Sequence, residues 1–141
     1  MTEIKTCIDF WQYFKKIAYK TIKKIENDKA WNFKLTPKEF TIKETFNHTL
    51  QAIFEDAGNW FLNEPLKFVP TNVPTADLER AVNRMINAIE SMTDSQLEDE
   101  FTFPWGVKTT VKEAIIQNLY HAIGHFAQLR ERSGIKSRTK K

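Results

Sequence analysis

Apolar residues recur at three- and four-residue spacing in four stretches of the chain, the pattern of amphipathic helices. The first carries Ile4, Ile8, Trp11, Phe14, Ala18, Ile22 and Ile25. The second opens at Thr41, with Glu44 three residues on as a capping box, and repeats Phe46, Leu50, Ile53, Ala57 and Trp60. The third follows Pro74 and Thr75 through Leu78, Val82, Met85, Ile89 and Met92. The fourth opens at Thr110, with Glu113 as a second capping box, and runs Val111, Ile115, Leu119, Ala122, Phe126 and Leu129. Gly134 then sits where a helix commonly stops, and Arg130 and Arg132 fall in the last turn, where cations suit the helix dipole. Four apolar stripes need one shared core, so the pattern predicts an all-α four-helix bundle with Trp11, Phe14, Phe46, Leu50, Met85, Ile115, Leu119 and Phe126 inside.

The connectors are long for a minimal bundle. Residues 27–40, 63–74 and 93–109 hold Trp31, Phe33, Phe40, Phe68, Phe101, Phe103 and Trp105. Segments this aromatic are expected to pack over the bundle ends or to wall a cavity. Residues 101–107 are compatible with a short paired strand.

Composition agrees with this reading. Four Gly and five Pro in 141 residues leave few interruptions, and the length suits one domain, residues 1–141, with a core large enough to need no staple. The single cysteine, Cys7, excludes an internal disulfide and reads as a small core residue, with no base nearby to make it a reactive thiol. No signal peptide or membrane-spanning run is apparent, so the expected location is cytoplasmic, away from the membrane. The net charge of +3 is unevenly spread, because residues 130–141 carry six basic residues against Glu131 alone. That leaves +5 on this segment and −2 on the rest, a mildly acidic body with a basic, flexible tail over 135–141. The tail has no interleaved aromatics on which bases would stack, so no nucleic-acid partner is expected.

Candidate chemistry lies on the second and fourth helices. At about 100° per residue, Ala114, Asn118, His121, His125, Gln128 and Arg132 form a polar stripe beside the apolar one. His121 and His125 are four residues apart, so their rings stand one above the other, the spacing by which a helix offers two imidazoles to one metal. His48 lies off the Phe46/Leu50/Ile53 stripe, beside the small residues Thr41, Thr45 and Ala52, with Glu44 one turn before it. Taken singly, each histidine also suits a surface or a satisfied core position, Asn118 and Gln128 suit exposed polar positions, and the capping box accounts for Glu44. No Gly-rich phosphate loop, CxxC pair or nucleophile elbow is present.

The run 120–134 resembles the C-terminal motif of the DinB/YfiT-like family, whose members usually read His, three residues, His-Arg-Gly-Gln, then Leu-Arg and a Gly. Here it reads His121, His125, Phe126, Ala127, Gln128, Leu129, Arg130 and Gly134. Thr41, Glu44 and His48 resemble the family's helix-two motif, residues 31–37 its Trp- and Pro-containing loop, and residues 106–113 its approach to the last helix. The resemblance implies an up-down-down-up four-helix bundle, often a homodimer, holding one divalent ion (zinc or nickel) on His48, His121 and His125. It further implies an enzyme transferring a low-molecular-weight thiol to a small electrophile, with Glu44 or Gln128 orienting the ligands. Two alternatives stand beside that reading: a hydrolase acting through a metal-bound hydroxide, and a non-catalytic bundle that the metal merely pins. Phe126 and Ala127 depart from the family's Arg-Gly, which removes whatever role that Arg has; Gln128 is kept.

Overall fold

The computed structural model describes residues 2–139. Helix α1 spans Glu3–Asp28, α2 Ile42–Asp56, α3 Pro74–Glu90 and α4 Val111–Thr139. Helix α2 runs on into a π-helical turn, Ala57–Leu62, and a 3₁₀ turn, Asp94–Glu98, precedes the antiparallel hairpin of β1 (Glu100–Thr102) and β2 (Lys108–Thr110).

Each start has its local cause. The Thr2 hydroxyl accepts from the Lys5 N–H to cap α1, and Thr41 and Glu44 close the expected capping box on α2. Pro74 occupies the first turn of α3, where its missing N–H costs nothing. Lys29 ends α1 in the left-handed region at φ 53°.

Side-chain pairs fix the directions of the helices. Lys112 of α4 bonds Glu3, and Ser133 of α4 bonds Asp28, so α1 and α4 run parallel. Lys15 bonds Asn83 and Tyr19 bonds Glu79, so α3 runs against α1. Asn118 bonds Asp56 and Arg132 bonds Glu39, so α2 runs against α4. The bundle is therefore up-down-down-up, with α1 and α2 on opposite sides of the core. Trp11, Phe14, Phe46, Leu50, Met85, Ile115 and Phe126 are all buried, as their periodicity predicts. Leu119 is only half-buried, because it lines a groove between α1 and α4 that nothing fills.

Three local expectations change. Helix α4 does not stop at Gly134, which is buried; the helix continues to Thr139. Its last turns are held to α1 by Ser133 and Lys136, which bond the Asp28 side chain and carbonyl. Residues 135–139 of the expected flexible tail are thus helical, while Lys140 and Lys141 lie outside the described residues. At Thr110 the hydroxyl accepts from the Glu113 N–H, but the Glu113 carboxylate turns to the Thr109 hydroxyl. The reciprocal half of the box, Glu113 back to the Thr110 N–H, therefore does not form. Finally, the short strand over 101–107 forms only in part: Phe101 and Thr102 pair with Thr109 and Lys108, and 103–107 make the hairpin turn, with Gly106 at φ 92°. Among the described residues no helix is long and apolar enough to cross a membrane.

Candidate functional site

The antiparallel α2/α4 contact is a polar seam laid along the apolar core. Asn118 donates to the Asp56 carboxylate (2.8 Å) at one end, and Arg132 donates to Glu39 (2.6 Å) at the other. The histidines lie between these two bonds. Buried Thr45 and Thr49 flank His48; the Thr49 hydroxyl donates to the Thr45 carbonyl (2.7 Å), and both side chains are small enough to leave room for α4.

His121 and His125 meet as their spacing predicts. Their ring centroids are 4.4 Å apart, the planes nearly perpendicular, and the two Nε2 atoms face each other across 3.1 Å. The His125 Nδ1 lies 3.3 Å from the Gln128 Oε1, a geometry in which Nδ1–H donates and the lone pair is left on Nε2. His48 stands edge-on to His125 with ring centroids 6.1 Å apart. Burial lowers the His121 pKa, and the neighbouring His125 and His48 lower it further, so the neutral, ligating form is favoured.

The donor set suits a transition metal. Two nitrogens bound tetrahedrally at 2.0–2.1 Å lie roughly 3.3 Å apart, close to the Nε2 pair here. The third donor is not in place: among the described residues no three His, Cys, Asp or Glu groups are gathered tightly enough to hold an ion as they stand. His48 is exposed, so a turn of its side chain is sterically open.

Two cavities of unlike chemistry adjoin the histidines. One, of about 380 Å³, is lined by Lys38, Glu39, Phe40, Thr45, His48, His125, Gln128 and Arg132. The other, of about 260 Å³, is lined by Asp56, Trp60, Pro104, Trp105, Gln117, Asn118 and His121. Burial pushes the Asp56 carboxyl up to about 6, against the opposing effect of the Asn118 bond. Glu44 lines neither cavity. Its carboxylate accepts from the Thr41 N–H (2.8 Å), which together with the Thr41 side chain lowers its pKa.

The sequence reading did not single out Asp56, Trp60 or Trp105 as site residues. The signal for the first two lies in the sequence: His48, Ala52, Asp56 and Trp60 follow one another at four-residue spacing. Trp105 is brought in by the hairpin turn, which no helical periodicity reports.

No sequence-family model matches the chain, and no curated protein matches it. Its fold does match a solved structure, a DinB-like protein (YjoA) from Bacillus subtilis. The TM-score is 0.67 over 94% of this chain and 90% of that one, at 15% sequence identity. The chain is an all-α four-helix bundle of the DinB type.

Proposed function

We propose that this bundle is a metal-dependent transferase that joins a low-molecular-weight thiol to a small electrophile. The observation that carries the reading is the pair of cavities, cationic on one side of the histidine row and acidic and aromatic on the other. A two-substrate reaction needs two recognition sites meeting at one reactive centre, whereas hydrolysis needs only one besides water. Low-molecular-weight thiols commonly carry carboxylates, and Lys38 and Arg132 supply positive charge for them, Arg132 sharing its charge with Glu39.

His48, His121 and His125 would hold the ion, and Gln128 keeps the His125 lone pair on Nε2. A zinc- or nickel-type ion held by three imidazoles keeps an open position at which it lowers the pKa of a thiol. The thiol loses its proton to solvent, its sulfur forms a bond to an electrophilic carbon, and the leaving group departs with the bonding pair. Trp60 and Trp105 narrow the approach on the electrophile's side. A metal that merely pins the bundle is disfavoured by the seam itself, which Asp56–Asn118 and Glu39–Arg132 already close at both ends.

The test is consumption of a small anionic thiol with an alkylating electrophile by zinc- and nickel-loaded protein. We expect turnover above the buffer rate and its loss in His121→Ala. Loaded protein that never exceeds the buffer rate across a panel of thiols would overturn the reading.

The same reading includes a homodimer through the outer faces of α1 and α4. Phe10, Tyr13 and Ile17 on one helix, and Ile116, Tyr120 and Ile123 on the other, stay exposed beside an apolar groove of about 380 Å³. Because α1 and α4 run parallel, a two-fold partner lying antiparallel brings the Glu113 end of the stripe against the partner's basic end near Arg130. Sedimentation of Tyr120→Glu as monomer and wild type as dimer is the expected outcome.

A further inference from the structure

The 260 Å³ cavity beside His121, on the electrophile's side of the proposed reaction, has a composition that points to the charge of what it binds. Its wall combines one carboxylate, Asp56, with two indoles, Trp60 and Trp105; its remaining polar groups are the amides of Gln117 and Asn118 and the imidazole of His121. No lysine or arginine lines it, and Asp56 forms no ion pair among the described residues. Among the described residues its carboxylate accepts from the Asn118 amide, which is neutral. An anion entering here meets like charge, whereas a cation meets an uncompensated carboxylate and the electron-rich faces of two indoles.

The indoles are held in place. Trp105 lies 62% exposed, yet it is stacked on Phe103 at 4.5 Å with the planes 6° apart. Trp60 packs edgewise on Phe103 and against Phe101, with ring centroids about 5.5 Å apart. Both tryptophans sit at irregular backbone: Trp60 in the π-helical turn, and Trp105 beside Gly106 in the hairpin turn. π-Helical turns are rare and occur often at functional sites. A large aromatic surface kept open, rigid and next to a half-buried carboxylate is a receptor surface more than a gap in packing.

We propose that this cavity binds the organic cation of the electrophilic substrate, an alkylated ammonium group lying against the corner that Trp60 and Trp105 form, their rings meeting at 69° with centroids 6.4 Å apart, with Asp56 as its counter-ion. The cavity is smaller than the roughly 300–1,000 Å³ of pockets that take drug-sized ligands, so the cationic group is compact. His121 belongs to the same lining, so a substrate anchored by its cation has the histidine row within the same cavity. The orientation of the substrate's other end rests on the transferase reading above; binding of the cation does not, because Asp56 and the two indoles supply it without a metal.

The experiment is a calorimetric and tryptophan-fluorescence titration of metal-free protein with choline and with its neutral isostere, 3,3-dimethylbutan-1-ol. Choline should saturate and the neutral isostere should bind at least about tenfold more weakly. Asp56→Asn keeps the Asn118 contact without the charge and should lose about tenfold in choline affinity. Trp105→Ala, a change at an exposed side chain that leaves the core intact, should lose a similar factor. Equal binding of choline and the isostere, unchanged affinity in Asp56→Asn, or no saturation by either compound in folded wild-type protein would overturn the proposal. Metal uptake measured on the same preparations after reconstitution with zinc or nickel separates the two readings. Choline binding without metal uptake sinks the transferase and keeps the cation site; metal uptake without choline binding does the reverse.

Discussion

His121 Nε2 and His125 Nε2 face each other across 3.1 Å, one helical turn apart on α4. Two neutral imidazoles meet this way either with one N–H donating to the other ring or with both lone pairs aimed at a shared cation. Gln128 decides the case for His125, since a proton held on Nδ1 by the Gln128 carbonyl leaves Nε2 as an acceptor. The pair is thus half-set for ligation by a contact that lies outside the ligand set itself.

Gln128 and the α2 cap are therefore separable by mutation. Gln128→Leu should weaken metal affinity by about 10–100-fold, the usual effect of losing the partner of a ligating imidazole, with little change in melting temperature. Thr41→Ala should do the opposite, removing about 1 kcal/mol of stability with metal affinity unchanged. Glu44→Ala should follow Thr41→Ala in direction. Metal titration and urea unfolding of the three variants check this; a Glu44→Ala protein that folds normally but loses metal would return Glu44 to the site.

What was legible in the chain follows from what periodicity can carry. The four helices, the Thr41 cap of α2, the Pro74 start of α3 and most of the core are local properties of spacing. The end of α4 was not legible, because Gly134 is a stop signal only when nothing packs on the turns beyond it. Here Ser133 and Lys136 reach Asp28, more than a hundred residues away. The His121/His125 pair was legible for the same reason as the helices, since both sit on one of them. Its meeting with His48, and the cavity between Asp56 and Trp105, are tertiary facts. They depend on α2 running against α4 and on a hairpin that folds back over the π turn.

Asp56 gives a pH signature. Its folded carboxyl titrates near 6, above the ordinary 3.8, so the folded state holds a proton that the unfolded chain releases. The stability Asp56 contributes is fully present below about pH 4 and is lost as pH rises through about 6. Asp56→Asn has nothing to lose over that window. Its advantage over wild type should grow between about pH 4 and 7 and then level off. Two pH units set a ceiling near 3 kcal/mol, which partial exposure reduces to the order of 1 kcal/mol. Urea unfolding across this range measures it; a pH-independent difference would contradict the burial argument.

The π turn gives a packing test. A Cβ on Gly58 would lie 2.5 Å from the Glu64 carbonyl oxygen and 2.7 Å from the Arg84 guanidinium, which itself bonds that carbonyl. Gly58→Ala should destabilise the fold by about 1–3 kcal/mol. At Gly124, between the two histidines, a Cβ meets nothing within 4 Å. There Gly→Ala should stabilise α4 by roughly 0.5–1 kcal/mol. Thermal melts of the pair, which differ in sign under this account, decide it.

The core closes without any metal, so the ion is a ligand of the folded protein and not its organiser. At a hundredfold excess over Kd, binding adds about 2.7 kcal/mol, and chelation should lower Tm by roughly 5–10 °C while the helical circular-dichroism signal at 25 °C persists. Outright unfolding on chelation, as in a zinc finger, would mark the metal as structural.

The most direct test of the account is metal stoichiometry. Protein purified without an affinity tag, stripped, and reconstituted with zinc or nickel should hold one ion per chain by elemental analysis. His48→Ala, His121→Ala and His125→Ala should each keep the helical signal and lose that ion. A stoichiometry near zero in the wild type, or full retention in His121→Ala, would contradict the three-histidine centre on which the proposed chemistry rests.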